Sequence, residues 1–323
     1  MGMTDHLLLQ LGLKQKLKLP IPVISVGNLT FGGTGKTPVI QFLLQRFLDQ
    51  GKRPGLVSRA YKAKISQPEK IDLGHPSKSA EDYGDEPYMI AQKYPEVPVY
   101  VGAQKYECAR AVFSQEAVDL ILVDDGFQHS MLARDLDFVV IDSTKPLREY
   151  RYPPFGRARE SWKALERAQA VILTKQNMIN LNKDYQKIVE QIPSHVKVFS
   201  FDYRISTVQE INSGINQKFT DLRGQLTAFC GLGFPQAFYH QINESCSHLE
   251  VHPISFSDHH AYDLSDIQKI LSTGSKEFLT TEKDAVKLKK IWPKDKTLWV
   301  TRLELLPKDP IESWNGFFAQ YSL

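Results

Sequence analysis

Short apolar runs alternate with longer, helix-like segments over the first 200 residues of the chain. In one such segment Ile40, Leu43, Leu44 and Phe47 recur at the spacing of one helical face, and Gly51 marks its end. The apolar runs have the length and β-branched content of buried strands. They are residues 22–26, 55–58, 97–101, 118–123, 138–141 and 170–174. This alternation predicts an α/β fold in which a mainly parallel sheet carries helices on both faces.

The pattern changes near residue 200. Residues 196–203 alternate between apolar and polar side chains, as in a strand with one exposed face. A second α/β pattern begins with the apolar run at residues 226–230. Residues 297–301 predict a further strand, and residues 311–321 predict a final helix. We therefore predict a second, smaller α/β domain.

Composition excludes several classes of protein. The three cysteines, Cys108, Cys230 and Cys246, are far apart in the sequence, which argues against a disulfide framework and against a zinc ribbon. A net charge of +3 is too small to require a nucleic-acid partner. No run approaches the roughly 20 apolar residues that cross a bilayer.

Basic side chains are nevertheless concentrated in one short segment. They are Arg148, Arg151, Arg157, Arg159 and Arg167. A local basic surface of this kind suits an anionic substrate or lipid head groups. The alternative is a solvated face with scattered ion pairs.

A glycine-rich segment separates the first predicted strand from the first predicted helix. It consists of Gly32, Gly33, Thr34, Gly35, Lys36 and Thr37. The backbone N–H groups of such a turn bind phosphate together with the helix N-terminus. We expect Lys36 to reach the β- and γ-phosphates and the Thr37 hydroxyl to ligate Mg²⁺. The pattern G-x-x-x-x-G-K-[ST] would place its first glycine at Thr30, so the loop is a variant P-loop.

An acidic pair, Asp124 and Asp125, follows the apolar run 118–123 and precedes Gly126. On its own, this pattern is typical of a simple turn. In a protein with a phosphate loop, acids at the carboxyl end of a strand hold Mg²⁺ beside the phosphates. We therefore predict that Asp124 and Asp125 hold Mg²⁺, directly or through water.

Three weaker segments have structural interpretations. The sequence from Gly84 to Pro87, which contains Asp85, is typical of a helix start. Residues 281–284 are typical of a capping box. Asp258, His259 and His260 offer metal-ligating atoms, but the absence of a nearby Cys or third His in the sequence argues against zinc.

Taken together, these segments resemble the tetraacyldisaccharide 4′-kinase family, the lipid A 4′-kinases. Their order and spacing hold from about residue 20 to residue 290, which is more specific than any single motif. The matching stretches are residues 22–30, 32–38, 58–59, 84–87, 124–129, 159–160, 256–260 and 280–288.

The resemblance implies a P-loop NTPase-type fold and the transfer of the ATP γ-phosphoryl group to the 4′-hydroxyl of a lipid A disaccharide 1-phosphate. ATP and Mg²⁺ are the implied cofactors. By the resemblance, Asp85 is the catalytic base and His259 is its partner. Glu160 matches a further acidic residue near the metal, while Arg159 and Lys36 steady phosphate charge.

We expect a P-loop kinase core over residues 1–200, completed by the C-terminal helix at 306–323. The smaller domain, residues 201–305, is expected to close the active-site cleft and to bring His259 into it. The expected partners are the lipid disaccharide and the inner-membrane surface, with no nucleic acid and no obligate protein partner evident.

Family members usually begin with a hydrophobic membrane helix, and this chain starts too late to contain it. We therefore expect either a truncated chain or peripheral association with the cytoplasmic face of the bacterial inner membrane.

Some positions depart from the family pattern. Ala60 replaces a usual Gly, Ser130 replaces a usual Arg, and residues 153–158 differ from a more common Leu-Pro-Ala-Gly form.

The main alternative is a deviant-Walker P-loop switch or partitioning ATPase, or a GTPase metallochaperone. Partitioning ATPases typically carry a Lys just before the Gly-Gly of the loop, where this chain has Phe31. No N-K-x-D signal for guanine is present, so the nucleotide is assigned to ATP mainly through the resemblance. A nucleotide-binding scaffold without turnover is disfavoured by the acids Asp85, Asp124 and Asp125.

Overall fold

The computed structural model describes residues 15–59, 65–75, 77–258 and 260–323. The chain divides into two compact units, the first formed by Met1–Asp202 with Pro307–Leu323 and the second by Tyr203–Leu306. The strands are β1 Val23–Gly27, β2 Pro54–Arg59, β3 Glu69–Lys70, β4 Val99–Gly102, β5 Leu120–Asp124, β6 Leu136–Asp142, β7 Ala170–Thr174, β8 Lys197–Glu210, β9 Asn216–Lys218, β10 Gln225–Cys230, β11 Glu250–Ser255, β12 Glu277–Thr281 and β13 Thr297–Pro307.

The α-helices are α1 Lys36–Asp49, α2 Ala80–Tyr83, α3 Asp85–Lys93, α4 Lys105–Gln115, α5 Tyr185–Val189, α6 Pro235–Ser245, α7 Leu264–Leu271, α8 Glu282–Leu288 and α9 Ile311–Ala319. Short 3₁₀ helices cover Leu147–Tyr150, Trp162–Arg167, Gln176–Leu181 and Phe219–Asp221. In the part of the chain that the structure describes, no helix combines the length and the apolar character needed to cross a bilayer.

The first unit is built on a sheet with the strand order β3-β4-β2-β5-β1-β6-β7-β8. All of these neighbours run parallel except β3, which is antiparallel to β4. Every residue of β1 is buried, and a central parallel strand is buried in this way only when helices cover both faces of its sheet. The predicted α/β fold with a mainly parallel sheet is confirmed.

The strand predicted at residues 196–203 is longer in the structure. β8 continues to Glu210, and its side chains go on alternating between buried and more exposed positions. The extension pairs antiparallel with β9, with Thr207 opposite Lys218. The local sequence pattern does not reveal this partner. Non-local pairing therefore set the end of this strand.

The second unit contains its own parallel arrangement. β10 lies between β11 and β12, and β12 pairs with β13, all in parallel. Aromatic side chains fill one of its cores, where Phe229 stacks on Trp292 with 5.8 Å between the ring centres. Pro235 stands in the first turn of α6, where its fixed backbone angle and missing N–H carry no penalty.

The C-terminal helix α9 packs on the first unit. Trp314 is fully buried, and its ring lies 3.7 Å from the ring of Phe199 in a stacked arrangement. Phe42 of α1 and Phe201 of β8 contact the same indole at 5.2 and 5.5 Å. This aromatic cluster joins the last helix of the chain to the first helix and to the sheet.

We expect Trp314→Ala to lower the free energy of unfolding by about 3–5 kcal/mol, because it removes a large buried ring and leaves a cavity. Ile311→Ala on the same helix is the matched control, since the Ile311 side chain is exposed. Denaturant melts of both variants make the comparison. Equal unfolding midpoints for the two variants would contradict the packing role of Trp314.

Candidate active site

The phosphate loop connects β1 to α1. Gly35 precedes the helix with φ of 87°, a left-handed conformation that glycine adopts without steric cost. The loop is held from inside by Asn28, whose Nδ2 donates to Thr34 Oγ1 at 3.0 Å. From β7, which is separated from β1 by β6, Thr174 Oγ1 donates to the Thr34 carbonyl at 3.4 Å. The first turn of α1 is thereby presented at the carboxyl edge of the sheet.

Asp124 is the last residue of β5 and lies at that same edge. Ser58, from the end of β2, donates its hydroxyl to Asp124 Oδ2 at 2.8 Å. The other oxygen, Oδ1, is buried and has no hydrogen-bond donor in the described part of the chain. Burial raises the pKa of Asp124 to about 6, against the lowering effect of the Lys36 charge. A buried, unpaired carboxylate oxygen is the kind of atom that a hard cation satisfies.

Asp125 has a different environment. It adopts a left-handed conformation with φ of 52°. Lys36 Nζ lies 3.4 Å from its Oδ1, and Arg159 Nη1 donates to both of its oxygens at 2.8 and 2.7 Å. Burial opposes ionisation of this carboxyl, but three cations outweigh it, and the pKa of Asp125 lies well below its usual range. These cations are Lys36, Lys105 and Arg159.

The Thr37 hydroxyl donates to Glu86 Oε2 at 2.8 Å, which links α1 to the first turn of α3. Asp85 is the first residue of α3 and is half-buried. The N-cap position belongs to Gly84, which makes no side-chain capping bond. Asp85 itself is an acidic residue of the first helical turn.

The segment from Arg157 to Glu160 lies alongside the phosphate loop. The Phe31 N–H donates to the Arg157 carbonyl at 2.7 Å, and the Arg159 N–H donates to the Leu29 carbonyl at 2.7 Å. These backbone bonds direct Arg159 toward Asp125. Glu160, in contrast, accepts a hydrogen bond from Arg167 Nη2 at 2.7 Å.

Sequence reasoning missed one polar residue of the site and the contact that another one makes. Lys105, the first residue of α4, is almost fully buried, and its Nζ donates to the Asp125 carbonyl at 2.5 Å. Burial lowers its pKa. Ser58 belongs to a noted motif, but its bond to Asp124 was not foreseen. A single Lys at a helix start carries no motif, so no local signal marks Lys105.

The predicted residues are thus brought together only in part. Lys36, Asp124, Asp125 and Arg159 form one charged cluster, and the Thr37 hydroxyl is bonded to Glu86. Glu160 is paired with Arg167. His259, like the departure at Ala60, lies outside the described residues.

Within the described ranges, no group of three or more His, Cys, Asp or Glu side chains is arranged to hold a metal ion. Mg²⁺ does not require such a group, since in nucleotide sites it is held by one or two carboxylates together with phosphates and water. The unpaired oxygen of Asp124 and the hydroxyl of Thr37 fit that requirement.

A parallel sheet with a phosphate loop after one strand and acids at the end of its neighbour defines a P-loop nucleotide-binding protein. The sequence model of the LpxK family, tetraacyldisaccharide-1-P 4'-kinase, matches residues 3–315. The chain belongs to this family.

Similar curated proteins bear the same family name. The tetraacyldisaccharide 4'-kinase of Bdellovibrio bacteriovorus is 39% identical over 89% of this chain and 86% of its own length. That of Desulfotalea psychrophila is 36% identical over 87% of this chain and 82% of its own length. The crystal structure of LpxK from Aquifex aeolicus in complex with ATP matches with a TM-score of 0.74 and 25% identity, covering 98% of this chain and 94% of that one.

The raised pKa of Asp124 predicts a pH-dependent cost to stability. Because the folded protein favours the protonated form, the cost is absent below about pH 4 and grows as the pH rises through about 6. A shift of about two units corresponds to roughly 3 kcal/mol, so without metal or nucleotide we expect Asp124→Asn to gain up to that amount over wild type at pH 8.

Melts of both proteins between pH 4 and pH 8, with a chelator present, measure this difference. Asp119→Asn is the control, because Asp119 is more exposed and its hydrogen bond to Arg53 lowers its pKa. That variant should show no stabilisation that grows with pH. If the stability difference between Asp124→Asn and wild type stays constant from pH 4 to pH 8, the raised pKa of Asp124 is contradicted.

Proposed function

We propose that this protein is an ATP-dependent kinase that transfers the γ-phosphoryl group to the 4′-hydroxyl of a lipid A disaccharide 1-phosphate. The observation that carries the proposal is the contact of the phosphate-loop lysine with the acidic strand end, Lys36 Nζ to Asp125 Oδ1 at 3.4 Å. The names of its relatives, and the similar structure of LpxK with ATP, support the choice of acceptor and nucleotide.

Phosphoryl transfer depends mainly on positioning and on neutralising charge. In this proposal the backbone N–H groups of residues 32–37 and the Lys36 ammonium hold the β- and γ-phosphates. Thr37 and Asp124 hold Mg²⁺, which supplies positive charge against the phosphate oxygens when bound. Asp125 orients the cations around it and contacts the same Mg²⁺ through a water molecule.

Arg159 and Lys36 are both directed at Asp125. A triphosphate offers these cations a second anion, and the planar guanidinium of Arg159 is suited to bind phosphate oxygens. We propose that Arg159 turns from Asp125 toward the transferring group. Glu160 can act at the metal only if it gives up its ion pair with Arg167.

The sugar hydroxyl needs a group that accepts its proton. We propose Asp85 for this role, with His259 as its partner. An isolated Asp has a pKa near 3.9 and is a weak base, so an imidazole that orients it or shares the proton makes the assignment chemically reasonable. The neighbouring Glu86 accepts the Thr37 hydroxyl, so the turn that carries Asp85 is held beside the phosphate loop.

We further propose that the protein works at the cytoplasmic face of the inner membrane and binds it peripherally. The exposed arginines of residues 148–157 support this proposal, because anionic head groups attract basic side chains near the surface.

Lys36→Ala should abolish transfer, because the γ-phosphate loses the positive charge that the phosphate-loop lysine supplies. Labelled ATP, Mg²⁺ and a lipid A disaccharide 1-phosphate acceptor in detergent measure the reaction. Lys183→Ala is the control, because Lys183 is an exposed lysine of the same unit. Near-normal transfer by a well-folded Lys36→Ala protein would remove the phosphate-loop assignment.

Asp85→Asn should lower kcat by roughly 10²–10⁴-fold while ATP affinity is largely kept, as expected for a proton-transfer group. His259→Ala should also be harmful, and the double variant should lose less than the sum of the single losses if the two act as one unit. His260→Ala is the control, because His260 Nε2 is hydrogen-bonded to Asp266 Oδ2 at 2.7 Å within the second unit. Additive losses, or a greater sensitivity at His260, would contradict the pairing.

A further inference from the structure

One loop exposes aromatic side chains to an unusual degree. It covers residues 151–157 and is called here the aromatic loop. Phe155 is 78% exposed, more than any other large apolar side chain in the described part of the chain. Tyr152, three residues earlier, is 55% exposed, and Pro153 and Pro154 between them are exposed as well. Four consecutive apolar or aromatic residues therefore face solvent.

The aromatic loop is held in a defined shape. At its base the Arg157 N–H donates to the Glu149 carbonyl at 2.8 Å, and the Ala158 N–H donates to the Arg151 carbonyl at 2.9 Å. Gly156 allows this closure, because a Cβ there would lie 2.3 Å from the Arg148 carbonyl oxygen. Phe155 is therefore presented by a closed turn, so its binding would cost little conformational entropy.

Three arginines flank the exposed aromatic side chains along the chain. Arg148, Arg151 and Arg157 are all exposed. Arg157 makes a long contact to Glu149, with 3.8 Å between Nε and Oε2. Aromatic rings flanked by arginines suit the bilayer interface, where acyl chains meet anionic head groups. The ring enters the interface, while the guanidinium groups stay beside the lipid phosphates.

The aromatic loop also lies next to the phosphate-binding edge. Its last residue, Arg157, accepts the Phe31 N–H through its carbonyl at 2.7 Å, and Phe31 is itself 54% exposed. A surface that binds here is brought close to the phosphate loop. That placement suits an acceptor whose acyl chains stay in a bilayer while its sugar reaches the nucleotide.

We propose that the aromatic loop docks this protein on an anionic phospholipid surface, with Phe155 and Tyr152 inserted at the head-group boundary and Arg148, Arg151 and Arg157 bound to lipid phosphates. The charge of the three arginines identifies the occupant as an anionic bilayer rather than an apolar protein face. The inference rests on the proposed function in one respect, because a lipid acceptor explains why the protein would bind a bilayer.

Co-sedimentation of the full chain with vesicles tests the docking without any turnover. Vesicles of phosphatidylcholine with phosphatidylglycerol are compared with vesicles of phosphatidylcholine alone. We expect Phe155→Ser to weaken partitioning onto the anionic vesicles about tenfold, the effect of withdrawing a partly inserted ring. Phe113→Ser is the matched control and should bind as wild type does, because Phe113 is an exposed phenylalanine on α4 of the same unit.

A second readout reports insertion directly. The cysteines Cys108, Cys230 and Cys246 are all buried, so Phe155→Cys can be labelled selectively with an environment-sensitive fluorophore. Its emission should shift to the blue with anionic vesicles, while the same label on Phe113→Cys should not respond. Arg151→Gln should weaken binding at low salt and have less effect at high salt, where charge is screened.

Wild-type binding by Phe155→Ser, or an equal loss in Phe113→Ser, would overturn the proposal. Self-association that Phe155→Ser abolishes without changing vesicle binding would also overturn it, because the loop would then join two copies of the chain. If Phe155→Ser binds vesicles as wild type does, and wild type transfers phosphate normally, the docking role of the loop is rejected and the kinase assignment is unaffected. Phe155-dependent binding by a protein that transfers no phosphate would reject the kinase and leave the docking.

Discussion

The parallel pairing of β1 with β5 brings the phosphate loop and the acidic pair together. Val26 lies opposite Asp124 in this register, so the strand that enters the phosphate loop and the strand that carries the acids end at the same edge of the sheet. Parallel neighbours always bring their carboxyl ends together in this way. A shift of one residue would turn Asp124 to the other face, away from Ser58 and the phosphate loop.

At that edge two adjacent carboxyl groups are given opposite properties. Asp125 is surrounded by cations, and its pKa is lowered, whereas burial raises the pKa of Asp124. The surrounding protein therefore neutralises Asp125 itself and leaves an oxygen of Asp124 unsatisfied. In the proposed reaction this division separates two tasks, since Asp125 organises lysine and arginine while Asp124 awaits a cation.

A single short segment connects this chemistry to the surface. Arg159, which binds Asp125, is only four residues from the exposed Phe155, and the backbone between them pairs with the phosphate loop at Thr30 and Ala158. If the aromatic loop docks on lipid as proposed, the same strand-like pairing that directs Arg159 also sets the distance between the bilayer surface and the nucleotide.

Local sequence determined the repeating units of this protein. Apolar runs of strand length, a helix with one apolar face and a glycine-rich turn between them specify their own conformations, so the α/β class and the phosphate loop were predictable. The order of motifs also indicated the family. Such features depend on neighbours in the chain, and periodicity and backbone preference report them directly.

The tertiary structure decided which side chains meet. Lys105 reaches the Asp125 carbonyl from the start of α4, Glu86 takes the Thr37 hydroxyl, and Glu160 is paired with Arg167. The end of β8 likewise depends on its pairing with β9. These contacts join residues that are separated by many positions or by whole elements. Their geometry follows from strand order and helix packing, which no local pattern of residues encodes.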